Sequence, residues 1–186
     1  MIGGDWTKVE PIQEGKRGLP AGGYVIRITR VDNIQANSYL LMEYDIAEGE
    51  HAGHYKDLSD RFGFWGGSFV RSYKPKAAGF FKGFLDAVEA SNPGVVLATE
   101  NGVDESRLSG LLVGVVLREE EYIKNNGELG TRLRVKDVIS ADRIRKGDFI
   151  VPEKKVLSDK PAAAPAVIDT TAANVDFESV TEDLPF

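Results

Sequence analysis

Cysteine is absent from the 186 residues. That excludes a disulfide framework, a thiolate nucleophile and a zinc–thiolate site, and it suits a reducing compartment. Histidine is scarce: His51 and His54 are the only two. Both stand in a Gly-flanked turn, His-Ala-Gly-His, and with no thiolate beside them no metal site is expected. No run approaches the roughly 20 apolar residues of a membrane span. The opening MIGGDWTKVEPIQEGKRG lacks the apolar centre of a signal peptide. A soluble, cytoplasmic protein with no membrane partner is the expectation.

Other signatures are missing too. Gly15-Lys16-Arg17-Gly18 has neither the spacing nor the Ser/Thr of a phosphate-binding loop, and the pairs Gly22-Gly23 and Gly66-Gly67 match no dinucleotide fingerprint. Glu119-Glu120-Glu121 offers carboxylates, but consecutive strand residues point to alternate faces, so the run reads as a charged strand end. No nucleophile–base constellation is present. The chain is expected to be no enzyme and to need no cofactor.

What is present begins with an uneven charge. The net charge of −6 is concentrated late: residues 158–186 hold one lysine against six acids, whereas residues 1–157 hold 22 bases against 23 acids. The body is close to neutral. With a Debye length of about 8 Å at physiological salt, acids far along the chain scarcely affect a local basic patch. From Ser158 to Val175 the sequence is rich in Ala, Pro and Thr and has no aromatic residue. Such a stretch buries too little to offset its ordering entropy. Three parts follow: a body over 1–157, a flexible linker over 158–175 of about 23 Å root-mean-square reach, and an acidic tip over 176–186.

The body reads mainly as strands. Residues 22–31, rich in β-branched side chains, form the first. Residues 38–46 form the second, with Leu40, Met42, Tyr44 and Ile46 on one face. HYKDLSDRF (54–62) is taken as the third, LLVGVVLREEEY (111–122) as the fourth and TRLRVKDVI (131–139) as the fifth. One helix lies between the third and fourth, where Ala77, Phe80, Phe81, Phe84, Leu85 and Val88 make a broad apolar face. Pro75 opens that helix and Asn92-Pro93-Gly94 closes it. Three strands, a helix and two strands is the order of a five-stranded Greek-key barrel, the OB-fold, a frequent binder of oligonucleotides. The expected fold is therefore mainly β, with a disordered acidic C-terminal tail.

Residues 61–76, RFGFWGGSFVRSYKPK, carry the most chemistry. Five aromatics (Phe62, Phe64, Trp65, Phe69, Tyr73) mingle with four bases (Arg61, Arg71, Lys74, Lys76) and no acid. Rings on which bases stack and cations that follow phosphates are what single-stranded nucleic acid requires, each stacked base being worth about 1–3 kcal/mol. The competing account makes several of the rings core and the bases a solvated rim; a mixture is expected. Arg132, Arg134 and Lys136 alternate with Leu133 and Val135 and share one strand face, to which Arg27 adds a charge from the first strand.

The tip reads DFESVTEDLPF. Asp176, Glu178, Glu182 and Asp183 precede Leu184-Pro185-Phe186. This pattern resembles the acidic tip of bacterial single-stranded DNA-binding proteins, which place Pro-Phe at the free carboxylate behind a flexible linker. The body is similar to the phage and prophage members of that group through LVGVVLREEEY, SADRIRKGDF and IVP. The Glu119–Glu121 run departs from a uniformly basic DNA track. The resemblance implies sequence-tolerant binding and protection of single-stranded DNA in replication, recombination and repair. It also implies that the tip docks partner enzymes such as a helicase, primase, recombinase, nuclease or polymerase accessory protein. Physically, Pro185 restricts the backbone, while Phe186 offers a ring and a carboxylate to one pocket. The runner-up is a protein–protein adaptor of such a complex whose body does not touch DNA. Homo-oligomerisation is left open.

Overall fold

The computed structural model describes residues 18–157; the linker and the acidic tip lie outside them. The β-branched run after the Leu-Pro-Ala turn forms β1 (Gly22–Ile34), which a three-residue 3-10 turn joins to its antiparallel neighbour β2 (Tyr39–Ile46). In β2 every second residue points inward, burying Leu40, Met42, Tyr44 and Ile46. The chain continues through α1 (His54–Phe62), β3 (Ser68–Ser72), α2 (Ala78–Ser91), the small hairpin β4 (Ala98–Thr99) and β5 (Gly102–Val103), then β6 (Leu112–Ile123), β7 (Leu129–Ile139) and α3 (Ala141–Arg145). Five of the strands form one antiparallel sheet in the order β3-β2-β1-β6-β7, so that β3 and β7 are its edges.

The third strand is not where the sequence suggests. HYKDLSDRF is the helix α1. Its first N–H groups need acceptors that the helix cannot supply, and Asp45 provides them from β2: its carboxylate accepts from the backbone N–H of Tyr55 at 2.9 Å and of Lys56 at 3.3 Å. Lys56 pairs with Asp60 one turn on, at 2.6 Å. Gly53 and Gly63 bracket the helix in the left-handed region, at φ 79° and 71°. The strand that completes the sheet is Ser68–Ser72, inside the aromatic-basic segment, where Phe69 lies opposite Met42 and Arg71 opposite Leu40.

α2 follows a 3-10 turn at Pro75–Ala77 and lays Phe84, Leu85 and Val88 on the inner face of the sheet. Its end is tied down by an amide acting as a strand partner. Asn92 Nδ2 donates to the Leu112 carbonyl at 2.7 Å, and Asn92 Oδ1 accepts from Leu112 N at 3.0 Å. Phe80, part of the apolar pattern, turns outward instead and is 55% exposed.

The run Val113–Leu117 is buried on both faces of β6. The inner side meets the core and the outer side is covered by α3, whose Ile144 sits so close to Gly114 that a Cβ there would lie 2.5 Å from its Cγ1. Glycine is needed for that approach. Beyond α3 the chain returns along β6: Lys155 forms a parallel bridge to Glu120, with Glu121 N donating to the Lys155 carbonyl and Lys155 N to the Glu119 carbonyl, each at 2.9 Å. This strap occupies the edge of β6 that lies beyond the reach of β1.

One carboxylate holds the β4 segment. Glu89 accepts from the N–H groups of Leu97 and Ala98, at 2.6 and 3.1 Å, and these two bonds hold its pKa below the usual 4.5. A depressed carboxylate contributes stability above its unfolded pKa and loses it as pH falls through the folded one. Urea melts of the native chain and Glu89→Gln should therefore differ most near neutral pH and converge as the pH falls below 4.5. A difference that does not shrink in acid would show that the charge on Glu89 does not matter.

Candidate nucleic-acid interface

The aromatic-basic segment is divided by the elements it spans. Arg61 and Phe62 complete the last turn of α1, Gly63 reverses the chain, and Phe64 follows. The two phenylalanines stand out into solvent, 62% and 57% exposed, with ring centroids 6.3 Å apart and planes tilted by 33°. Trp65 is half-buried against the core, and its indole Nε1 donates to the Gly67 carbonyl at 3.1 Å. Phe69 is core. It is 6% exposed and meets Tyr44 and Phe84 edge-on, so its expected role as a base-stacking ring is corrected: β3 points it inward. Tyr73 is held as well, its hydroxyl donating to Asn33 Oδ1 at 2.9 Å and its ring edge-on to Phe81. Of the five rings, only Phe62 and Phe64 are open on the surface.

The four bases separate in the same way. Arg61, Lys74 and Lys76 are exposed. Arg71 faces inward by its register with Leu40; its guanidinium lies 5.2 Å from the Phe69 ring centroid and donates to the Val70 carbonyl at 3.1 Å. Burial pulls its pKa down to about 10, with the Asp137 carboxylate of β7 working in the opposite direction. Arg71 is thus half-buried on the side of the sheet that carries Leu40 and Phe69.

On β7, Arg132 and Arg134 share a face as the alternation implies, opposite Glu120 and Arg118 of β6. Arg132 lies over the Tyr122 ring, 5.1 Å from its centroid, and Arg134 Nε is 3.7 Å from Glu120 Oε2. Lys136 departs from the pattern. It is the extra residue of a bulge between the Val135–Leu117 and Asp137–Val116 pairs. Arg27, on β1, is exposed and donates to the Gly110 carbonyl at 2.8 Å.

The glutamate run has local work. Glu120 pairs with Arg118 and Arg134. Glu121 binds Lys154 Nζ at 2.8 Å and accepts from Leu157 N at 3.3 Å, and its pKa is lowered chiefly by the lysine. These acids fasten the strap and offset one arginine of β7. The histidine turn packs edge-to-face: His51 and His54 have centroids 6.4 Å apart, and burial pulls the His54 pKa below its ordinary value.

Sequence reasoning passed over Phe80, whose place in the apolar pattern hid its exposure, and Tyr122, which lies beneath Arg132. It also passed over an apolar group at the hairpin and strap, where Ile123, Leu129, Val156 and Leu157 are each between 47% and 61% exposed. The residues predicted as one site thus divide into an aromatic pair at the end of α1, a basic stripe on β7, and rings that belong to the core. The tip residues, Asp176, Glu178, Glu182, Asp183, Leu184, Pro185 and Phe186, lie outside the described residues. In comparison with known proteins, the chain matches no family model and no curated sequence.

Proposed function

We propose that the protein binds single-stranded DNA without strong sequence preference and recruits replication or recombination enzymes through its acidic tip. The observation that carries the reading is the pair of exposed rings at Phe62 and Phe64 beside Arg61. Exposed apolar groups that adjoin one another are where binding sites are found, unlike single scattered ones, and a cation next to them suits a stacked base with its phosphate. The basic stripe of Arg132 and Arg134 supports the same reading. On this view the body is an OB-type barrel whose closure falls between β3 and β7. The strand order and the helix between the third and fourth strands of the sheet agree with it.

The test is a titration of the full chain with oligo-dT and with duplex of equal length at several salt concentrations. Single strands should bind far better than duplex, and log affinity should fall linearly with log salt, by roughly 0.7 per phosphate contact. No measurable binding to oligo-dT at low salt would overturn the reading. An adaptor whose body binds protein is the second reading, favoured by the exposed group of Ile123, Leu129, Val156 and Leu157, and that same negative result would leave it standing.

A further inference from the structure

We infer that Tyr122 is a positioning residue for Arg132: its ring holds the guanidinium in place on the outer face of the β6–β7 hairpin, where it meets a phosphate of the bound strand. This rests on the single-strand reading and gives two uncharged neighbours of the basic stripe, Tyr122 and Gly130, a part in it. Three cross-strand pairs build the face: Arg118 with Arg134, Glu120 with Arg132, and Tyr122 with Gly130. Paired residues at every second position share one side of a sheet. Leu133, between the two arginines, packs against the core, so this side is the one turned away from it.

The ring has a seat made for it. Gly130 is buried, and a Cβ there would stand 2.8 Å from Tyr122 Cε1 and 3.0 Å from Cζ. The φ of Gly130 is outside the left-handed region, so what calls for glycine is the close approach of the ring, not the backbone. On that seat the ring carries Arg132, whose Cζ lies 5.1 Å from the ring centroid. A guanidinium resting on a ring spends none of its five N–H donors there. Arg132 is exposed, and among the described residues no ion pair engages it. Its donors are open to a phosphate. Arg134 is held differently: it is half-buried, lies 3.7 Å from Glu120 Oε2, and has its pKa pulled down by burial and then by the charge of Arg132. The two arginines repel each other, and Glu120 already serves Arg118 and Arg134. Without the ring Arg132 has no fixed partner, and each phosphate contact must then order a free side chain.

Positioning and direct contact are separated by a double-mutant cycle. Oligo-dT would be titrated into the full chain at fixed salt with Tyr122→Leu, Tyr122→Val and Tyr122→Phe, each alone and combined with Arg132→Gln. Thermal melts run alongside, and valine, at home in a strand, covers the case of a leucine variant that melts early. Loss of the ring should weaken binding roughly 2- to 5-fold, the factor for an exposed cation–ring contact. Tyr122→Phe, which keeps the ring, should rescue that loss. Combined with Arg132→Gln, loss of the ring should cost nothing further. An equal loss with and without Arg132 would overturn the positioning role and make Tyr122 an independent contact or a support of the strand. No loss in either setting, with the native chain binding well, would overturn it too, as would a Tyr122→Phe variant as weak as the leucine one. A native chain that binds no oligo-dT would overturn the single-strand reading itself, and this role with it.

Discussion

Replacing Phe84 by alanine should cost the body about 3–5 kcal/mol, the range for emptying a large aromatic site in a core. Phe84 is 2% exposed and lies where α2 meets the sheet, with the Phe69 ring 6.2 Å away edge-on and the Phe81 ring 6.1 Å away. These neighbours belong to β3 and to α2 itself, and each is anchored at both ends, so the hole has little to collapse into it. A loss of this size is a large share of the roughly 5–15 kcal/mol that holds a typical domain together. Urea melts followed by tryptophan fluorescence would show the midpoint falling sharply. Phe80→Ala, one turn earlier in the same helix but 55% exposed, is the control and should move it little. Equal effects at the two positions would mean that α2 does not pack on the sheet through Phe84.

On the single-strand reading, neutralising the stripe on β7 should weaken binding of oligo-dT and flatten its salt dependence. In the variant Arg132→Gln with Arg134→Gln, the salt slope for oligo-dT should drop by about 1.4, two contacts at roughly 0.7 each. Affinity at physiological salt should fall by roughly tenfold or more. Glutamine retains the length that covers Tyr122 and does not set a new carboxylate against Glu120, so the strand pair should survive. If the double variant folds normally and its slope equals that of the native chain, the stripe is only a solvated strand face and Arg61 must work with other cations.

The parts of the fold that were legible in the sequence are those where one periodicity acts alone. β2 alternates cleanly because one of its faces meets the core, and α2 shows its inner stripe because Phe84, Leu85 and Val88 recur at helical spacing. α1 was misread although its residues carry helical signs: Tyr55, Leu58 and Phe62 fall at steps of 3 and 4, and Lys56 and Asp60 are spaced to pair. What decides its start is a carboxylate ten residues back, at Asp45, and a cap supplied from another element leaves no local mark. β3 was hidden for the opposite reason: its short inward alternation, Phe69 then Arg71, lies in a segment whose glycines and charges look like a binding loop. The site was legible as a composition, aromatic and basic. Which rings were surface depended on the register of β3 against β2, and that is a tertiary fact.

The strap has a consequence for the exposed edge of β6. β6 is longer than β1 can cover, and the part from Arg118 to Ile123 would present a bare row of backbone donors and acceptors next to exposed Ile123 and Leu129. Bare strand edges bordered by apolar side chains are templates for aggregation. By returning after α3 and bonding Lys155 to both neighbours of Glu120, the chain covers the middle of that row with its own backbone, and Lys154 adds a charge at the rim. Lys155, near the end of the body as the sequence divides it, thus adds its backbone to the sheet beside β6 and shields the middle of that exposed edge.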